Sequence, residues 1–261
     1  MIVSEPNQAV PETRRFGAYE QHYQRVGNEL CDWNYAEAHA SAFACRQPWL
    51  PANKDARILD FGCGWGKQLL SLWCAGFKNL EGVELVAEQA RVAAEGVAGR
   101  FPVHCMDGRV FLASRQSKYD LVILNDVIEH VPRQETVPLL TCIRQSLVPG
   151  GRIVVRTPNM STLLAGYSRY MDVTHVTGFT EFSILQVLEE AGFDNPQFVR
   201  EYFGWPPRTR RPWIIVRRLN FRGLFNEWLH RMLYAARSQQ PAPTIFSMNL
   251  IVYAHKRNRV E

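Results

Sequence analysis

No apolar run in this 261-residue chain approaches the ~20 residues that a membrane-spanning helix needs; the longest, such as "LVIL" and "WIIV", are far shorter. The opening "MIVSEPNQAVPETRRF" has no apolar core after its basic residues, so no signal peptide is visible and a cytoplasmic location is expected. Its six cysteines, at 31, 45, 63, 74, 105 and 142, show no CxxC or CxH spacing. That excludes the usual zinc-site patterns and leaves reduced thiols as the reading. Internal repeats and low-complexity tracts are also missing. With 46% hydrophobic and 21% charged residues, the composition is that of a globular chain and not of a disordered one.

Acidic residues are scarce in one place only. Residues 200–261 hold 12 Lys and Arg against 3 Asp and Glu, whereas the remainder holds 18 against 22. The net charge of +5 therefore arises from the C-terminal quarter, where Arg, the residue suited to bidentate phosphate contacts, dominates.

Residues 17–47 lack proline and read as helical, and "QPWLPANKDA" then breaks the pattern. From Arg57 onward short apolar runs alternate with helical stretches: "RILDFG", "NLEGVEL", "FPVHCMD", "YDLVILND" and "GGRIVVRTPN" are strand-like, and the segments between them are helical. Such alternation predicts an α/β fold with a doubly wound, mostly parallel sheet covered on both faces. "TEFSILQVLEEAGF" is a further helix, with Thr180 its N-cap, Glu181 in the first turn and Gly192 its C-terminal cap. The last two strands are expected near Gln197–Phe203 and Phe246–His255. The expected organisation is an N-terminal helical cap over 1–56, a core over 57–205 and 244–261, and a basic amphipathic insertion over 206–243.

"RILDFGCGWGKQLL" is the strongest local signal. A strand ends in Asp60, and Gly62, Gly64 and Gly66 follow before a helix begins, so the backbone turns tightly and a ligand can approach without a Cβ in the way. A tight βα turn with no ligand is the alternative. Eighteen residues after Gly66 the next strand ends in Glu84, placed to accept from both hydroxyls of a ribose. The third strand ends in Cys105-Met106-Asp107, with Asp107 placed to accept from an adenine amino group.

In these motifs the chain resembles the class I S-adenosylmethionine-dependent methyltransferases, over residues 57 to 200 and in the family's order. "LDFGCGWG" is similar to their first motif, "GVEL" (ending Glu84-Leu85) to their acidic second strand, "CMD" to their adenine site, and "YDLVILNDVIEHV" and "LVPGGRIVVRTPN" to their fourth and fifth strands. The resemblance implies a Rossmann-like, seven-stranded sheet ending in an antiparallel hairpin, with S-adenosylmethionine as cofactor. It implies that Asp60, Gly62, Cys63, Gly64 and Gly66 flank the methionine moiety, Glu84 with Leu85 the ribose, and Met106 with Asp107 the adenine. Asn125 and Asp126 would then stand beside the sulfonium, where a carboxylate gives favourable charge pairing.

Three constellations bear on the acceptor. In "DVIEHV", Asp126, Glu129 and His130 share one face if the turn is helical, a set able to ligate a divalent cation. The reading preferred here is that they are structural, with no metal. In "RYMDVTHVTGFTEFS", His175 is the candidate general base or acceptor-positioning group, with Asp172 orienting its ring; helix-entry chemistry with a structural histidine is the alternative. This segment resembles methyltransferases of bacterial surface-polysaccharide (O-antigen, lipopolysaccharide) clusters, which implies O-methylation of a sugar or glycan hydroxyl. The third is the arginine-rich insertion with interleaved Trp and Phe, which suits peripheral contact with an anionic membrane at its inner face, or a lid or dimer contact. The alternatives are O-methylation of a small phenolic, quinone or natural-product acceptor, metal-assisted in one version, and a non-catalytic nucleic-acid-binding protein that keeps the fold. Nucleic acid is not the expected partner.

Overall fold

Strand β1 (Ile58–Phe61) and strand β2 (Leu80–Glu84) are buried at every position, as a sheet covered on both faces requires. The computed structural model describes residues 47–96, 99–199, 221–237 and 242–257. The rest of the expected N-terminal cap (1–46) and the first part of the basic insertion (206–220) lie outside them. In chain order the elements continue as α1 (Lys67–Cys74), α2 (Ala87–Gly96), β3 (Val103–Cys105), α3 (Gly108–Leu112), β4 (Tyr119–Asn125), α4 (Arg133–Ser146) and β5 (Leu147–Pro158). They end with α5 (Ala165–Tyr170), α6 (Glu181–Glu190), β6 (Phe193–Phe198), α7 (Phe221–Arg237) and β7 (Asn249–Lys256). The seven strands run β3-β2-β1-β4-β5-β7-β6, with β7 antiparallel to both neighbours and the other pairings parallel. This is the α/β, Rossmann-like architecture expected from the sequence.

Alternation along the strands divides the core into two layers. Leu59, Val122 and Leu124 pack with Leu139, Leu140 and Ile143 of α4, and Ile58, Leu121 and Ile123 pack with Leu69 and Leu72 of α1. Trp49, assigned from sequence to the cap, is buried in the second layer, and its carbonyl accepts from Arg152 at 3.3 Å.

Two local expectations hold and one shifts. Thr180 caps α6, its hydroxyl accepting from the Ser183 amide while the Ser183 hydroxyl accepts from the Thr180 amide. Gly192 follows that helix at φ 83°. Strand β6, however, begins at Phe193 rather than near Gln197. It includes Pro196 because it is an edge strand with a register break between Asp194 and Gln197, next to Asn195 at φ 51°.

Gly108 opens α3 against the core, and a Cβ there would stand 2.2 Å from Cζ of the buried Phe61. Gly108→Ala should therefore cost about 2 kcal/mol in a denaturant titration. Gly166→Ala, with nothing within 4 Å of the new methyl, should be neutral or slightly stabilising.

Candidate functional site

The chain order reverses between β1 and β4, and open α/β sheets bind ligands at the strand ends beside such a reversal. A cleft of about 960 Å³, open to solvent, lies there. After β1 the chain turns through Gly62 at φ 76°, and a Cβ at that position would lie 2.5 Å from Cγ2 of Val127 in the loop after β4. The Gly62 and Cys63 amides donate to the Val83 carbonyl at 2.8 and 3.1 Å. One Glu84 oxygen accepts from the Gly64 amide at 2.9 Å and the other from the Val86 amide at 2.8 Å. Glu84 thus braces the glycine loop as well as facing the cleft. Burial pushes its carboxyl above the usual range, against the amide hydrogen bonds that lower it.

Gly62, Gly64, Glu84 and Leu85 line the cleft on one side, and Met106, Asp107, Asn125 and Asp126 line it further along. Asp107 also caps α3, accepting from the Arg109 amide at 2.7 Å, and the Arg109 guanidinium spans Asp107 and Glu135 at 3.1 and 2.5 Å. Asn125 is held by Gln68, its Nδ2 donating to Oε1 at 3.3 Å. Asp60, Cys63 and Gly66 do not line the cleft. Gly66 begins α1 at φ 79°, and the Cys63 thiol turns inward toward Gly82. Asp60 is fully buried behind the loop, and its Oδ2 has no hydrogen-bond partner. Burial, with Glu84 nearby, pushes its carboxyl up to about 7. Gln89, buried and placed 3.8 Å from where a Cβ on Gly64 would be, is a lining residue that no motif announced.

At the other end of the cleft the loops after β4 and β5 are stitched together. The Glu129 carbonyl accepts from the Val176 and Thr177 amides at 2.8 and 3.0 Å, and the Thr177 hydroxyl donates to the Val131 carbonyl at 2.7 Å. The helical face expected for Asp126, Glu129 and His130 does not form. Only Ile128–His130 makes a single 3-10 turn, while Asp126 sits before it at φ 54° and pairs with Arg156. Arg156 therefore neutralises the carboxylate expected to act beside the sulfonium.

The Asp172–His175 pairing is also revised. Asp172 accepts from the Thr174 amide and hydroxyl at 2.8 and 2.6 Å, and the Thr174 hydroxyl oxygen lies 2.9 Å from His130 Nδ1. Since that hydroxyl donates to Asp172, it accepts from His130. Asp172 therefore orients His130, 44 positions from Thr174 in sequence, and not His175. Burial raises the Asp172 carboxyl, but the Thr174 hydrogen bonds and the neighbouring imidazoles of His130 and His175 outweigh it and hold the group below its usual value. The His175 ring instead meets the Ser168 carbonyl through Nδ1 at 2.9 Å, and the two imidazoles lie 4.8 Å apart, edge to face. His130 lines the cleft, with His175 buried behind it.

A glycine cradle, a cleft-facing carboxylate at the tip of β2 and a second acid, Asp107, beside Met106 further along the cleft fit a ligand that carries an adenosine. A family model described as "Methyltransferase domain" matches residues 36–197. The fold is shared with an S-adenosylmethionine-dependent methyltransferase from Archaeoglobus fulgidus at a TM-score of 0.63 and 18% identity, covering 92% of this chain and 100% of that one. It is shared with a Haemonchus contortus phosphoethanolamine N-methyltransferase 2, in complex with phosphomonomethylethanolamine and S-adenosylhomocysteine, at 0.60 and 18%, covering 97% and 62%. The [4+2]-cyclase SpnF is similar at 0.58 and 17%, covering 94% and 95%. None of the curated proteins compared matches the chain. The matched segment spans the glycine loop, the Glu84 tip and the stitched loops alike, and the chain belongs to the methyltransferase-domain family, with the seven-stranded fold of the S-adenosylmethionine-dependent methyltransferases.

Proposed function

We propose that the chain methylates a hydroxyl of a sugar or glycan, using S-adenosylmethionine. The cofactor supplies a methyl group on a positively charged sulfur. Glu84 would hold its ribose, the Gly62–Gly66 loop its methionine portion and Met106 with Asp107 its adenine. The observation that carries O-methylation is the Glu129–His130–His175 group, with His130 lining the cleft and Glu129 and His175 buried behind it, since a hydroxyl acceptor must give up a proton as it takes the methyl. The Nδ1 partners of both rings, a carbonyl for His175 and the Thr174 hydroxyl for His130, keep the proton on Nδ1 and the lone pair on Nε2. Support for a carbohydrate acceptor comes from Tyr167 and Tyr170 on α5, which are 66% and 81% exposed and offer aromatic faces to sugar C–H groups.

The screen that tests this offers labelled methyl donor with sugar nucleotides, glycans and phenols. Label is expected in a glycan fraction and lost about 100-fold or more with His175→Ala, at unchanged cofactor binding. Label confined to phenols would replace the acceptor class, and full turnover by His175→Ala would remove this residue from the chemistry.

The acceptor's membrane context is part of the same proposal. Phe225, Trp228 and Met232 lie exposed on α7, within the arginine-rich quarter. The helix docks on the loop after β5, His230 accepting from the Leu163 amide at 2.8 Å and Tyr234 donating to the Ser161 carbonyl at 3.1 Å. No helix among the described residues is long and apolar enough to cross a membrane. Contact at the surface of an anionic bilayer suits exposed aromatics among arginines. Flotation with phosphatidylserine vesicles should carry the protein upward, less so after Trp228→Ser, and recovery in the bottom fraction alone would exclude the contact.

A further inference from the structure

Glu129, His130 and His175 each offer one ligand-type atom, and these atoms lie within 4.8 Å of one another, the only such group among the described residues. Three independent features give this cluster the form of a cation site. First, Glu129 is 2% exposed; one carboxylate oxygen accepts from the Thr157 hydroxyl at 3.0 Å, and the other, Oε1, is buried with no hydrogen-bond partner. A buried oxygen without a donor is costly unless something positive meets it. Second, the His175 ring is fixed by the Ser168 carbonyl on Nδ1, which leaves Nε2 as the lone-pair nitrogen. Third, the His130 ring is fixed by Thr174, which is fixed in turn by Asp172. Imidazole ligands of metals characteristically hold their other nitrogen in this manner, with a carbonyl or carboxylate behind them. The expectation of no metal, and the alternative set containing Asp126, came from one loop alone. Asp126 is engaged by Arg156, and the third ligand comes from the loop after β5.

We propose that Glu129, His130 and His175 bind a divalent first-row transition ion at the acceptor end of the cleft, with the remaining positions open to the acceptor hydroxyl. Two imidazoles and one carboxylate suit zinc, iron, nickel or cobalt, and suit magnesium poorly, which prefers oxygen ligands. An ion here would lower the pKa of a hydroxyl bound to it and fix its orientation, which deepens the O-methylation reading and rests on it. The ion site itself stands or falls separately, because the test reads binding and not turnover.

The test is a titration of the metal-free full chain with Co²⁺, followed by visible absorption. One ion per chain is expected, displaced by Zn²⁺ and not by Mg²⁺. Glu129→Gln, nearly isosteric and able to keep the Thr157 bond, should weaken cobalt binding about 100-fold, as should His175→Ala, with melting curves confirming the fold. Thr174→Val, which touches no ion, should weaken it about tenfold through the His130 ring. Arg91→Ala, exposed on α2 and outside the cleft lining, should bind cobalt as the wild type does. No saturable cobalt binding by the wild type, or equal binding by Glu129→Gln and His175→Ala, overturns the site. Cobalt binding without methyl transfer to any glycan would retain the site and remove the glycan-acceptor reading instead.

Discussion

Replacing Glu84 by alanine is expected to weaken S-adenosylmethionine binding by about 100-fold or more in equilibrium dialysis. The carboxylate is placed at the tip of β2 where it would accept from two ribose hydroxyls, and hydrogen bonds to a charged group contribute about 1.5–3 kcal/mol each. Two of them amount to at least a hundredfold in affinity. The same carboxylate holds the Gly64 and Val86 amides, so alanine also frees the glycine loop. The melting temperature should fall by several degrees, and the loss of affinity should exceed what the lost stability explains. Glu84→Gln keeps an acceptor oxygen and should lie between the two. Wild-type affinity in Glu84→Ala would mean that the cofactor does not reach β2.

Folding stability should fall as pH rises from about 4 to 7, and Asp60 is the reason. Its carboxyl rises from an ordinary 3.8 to about 7 in the fold, because it is buried beside Glu84 and one oxygen has no partner. Through that interval the native chain keeps a proton that the unfolded chain has released, so the native state loses ground with each pH unit. The loss approaches about 4 kcal/mol and levels off above pH 7. Asp60→Asn removes this slope by leaving nothing to titrate; Glu84 and the Cys63 thiol are the other titratable groups facing the position, and they remain. Denaturant titrations at pH 5 and pH 8 on both proteins measure the difference. Equal pH slopes for wild type and Asp60→Asn would show that Asp60 is ionised in the native chain.

What could be read in the sequence is what a single local geometry forces. The turn after β1 requires Gly62, because Val127 occupies the space of a Cβ, and the continuous apolar run Leu121 to Leu124 of β4 announces a sheet buried on both faces. Thr180 and Gly192 mark the ends of α6 for similarly local reasons. The acceptor end was legible only as a set of residue types. His175 and Asp172 were named together because they lie three positions apart, yet their side chains serve different partners. Asp172 reaches His130 through Thr174, which itself lies 44 positions from His130, and His175 turns back to Ser168. Arg156 neutralises Asp126 from the neighbouring strand, a contact set by sheet register that no spacing rule contains. The cleft residues Gln89, Arg109 and Glu135 gave no signal for the same reason.

Titration calorimetry of the wild-type chain with S-adenosylmethionine, and with S-adenosylhomocysteine beside it, tests the central claim most directly. The account predicts saturable binding of one molecule of either ligand per chain, and the absence of heat for both would contradict it.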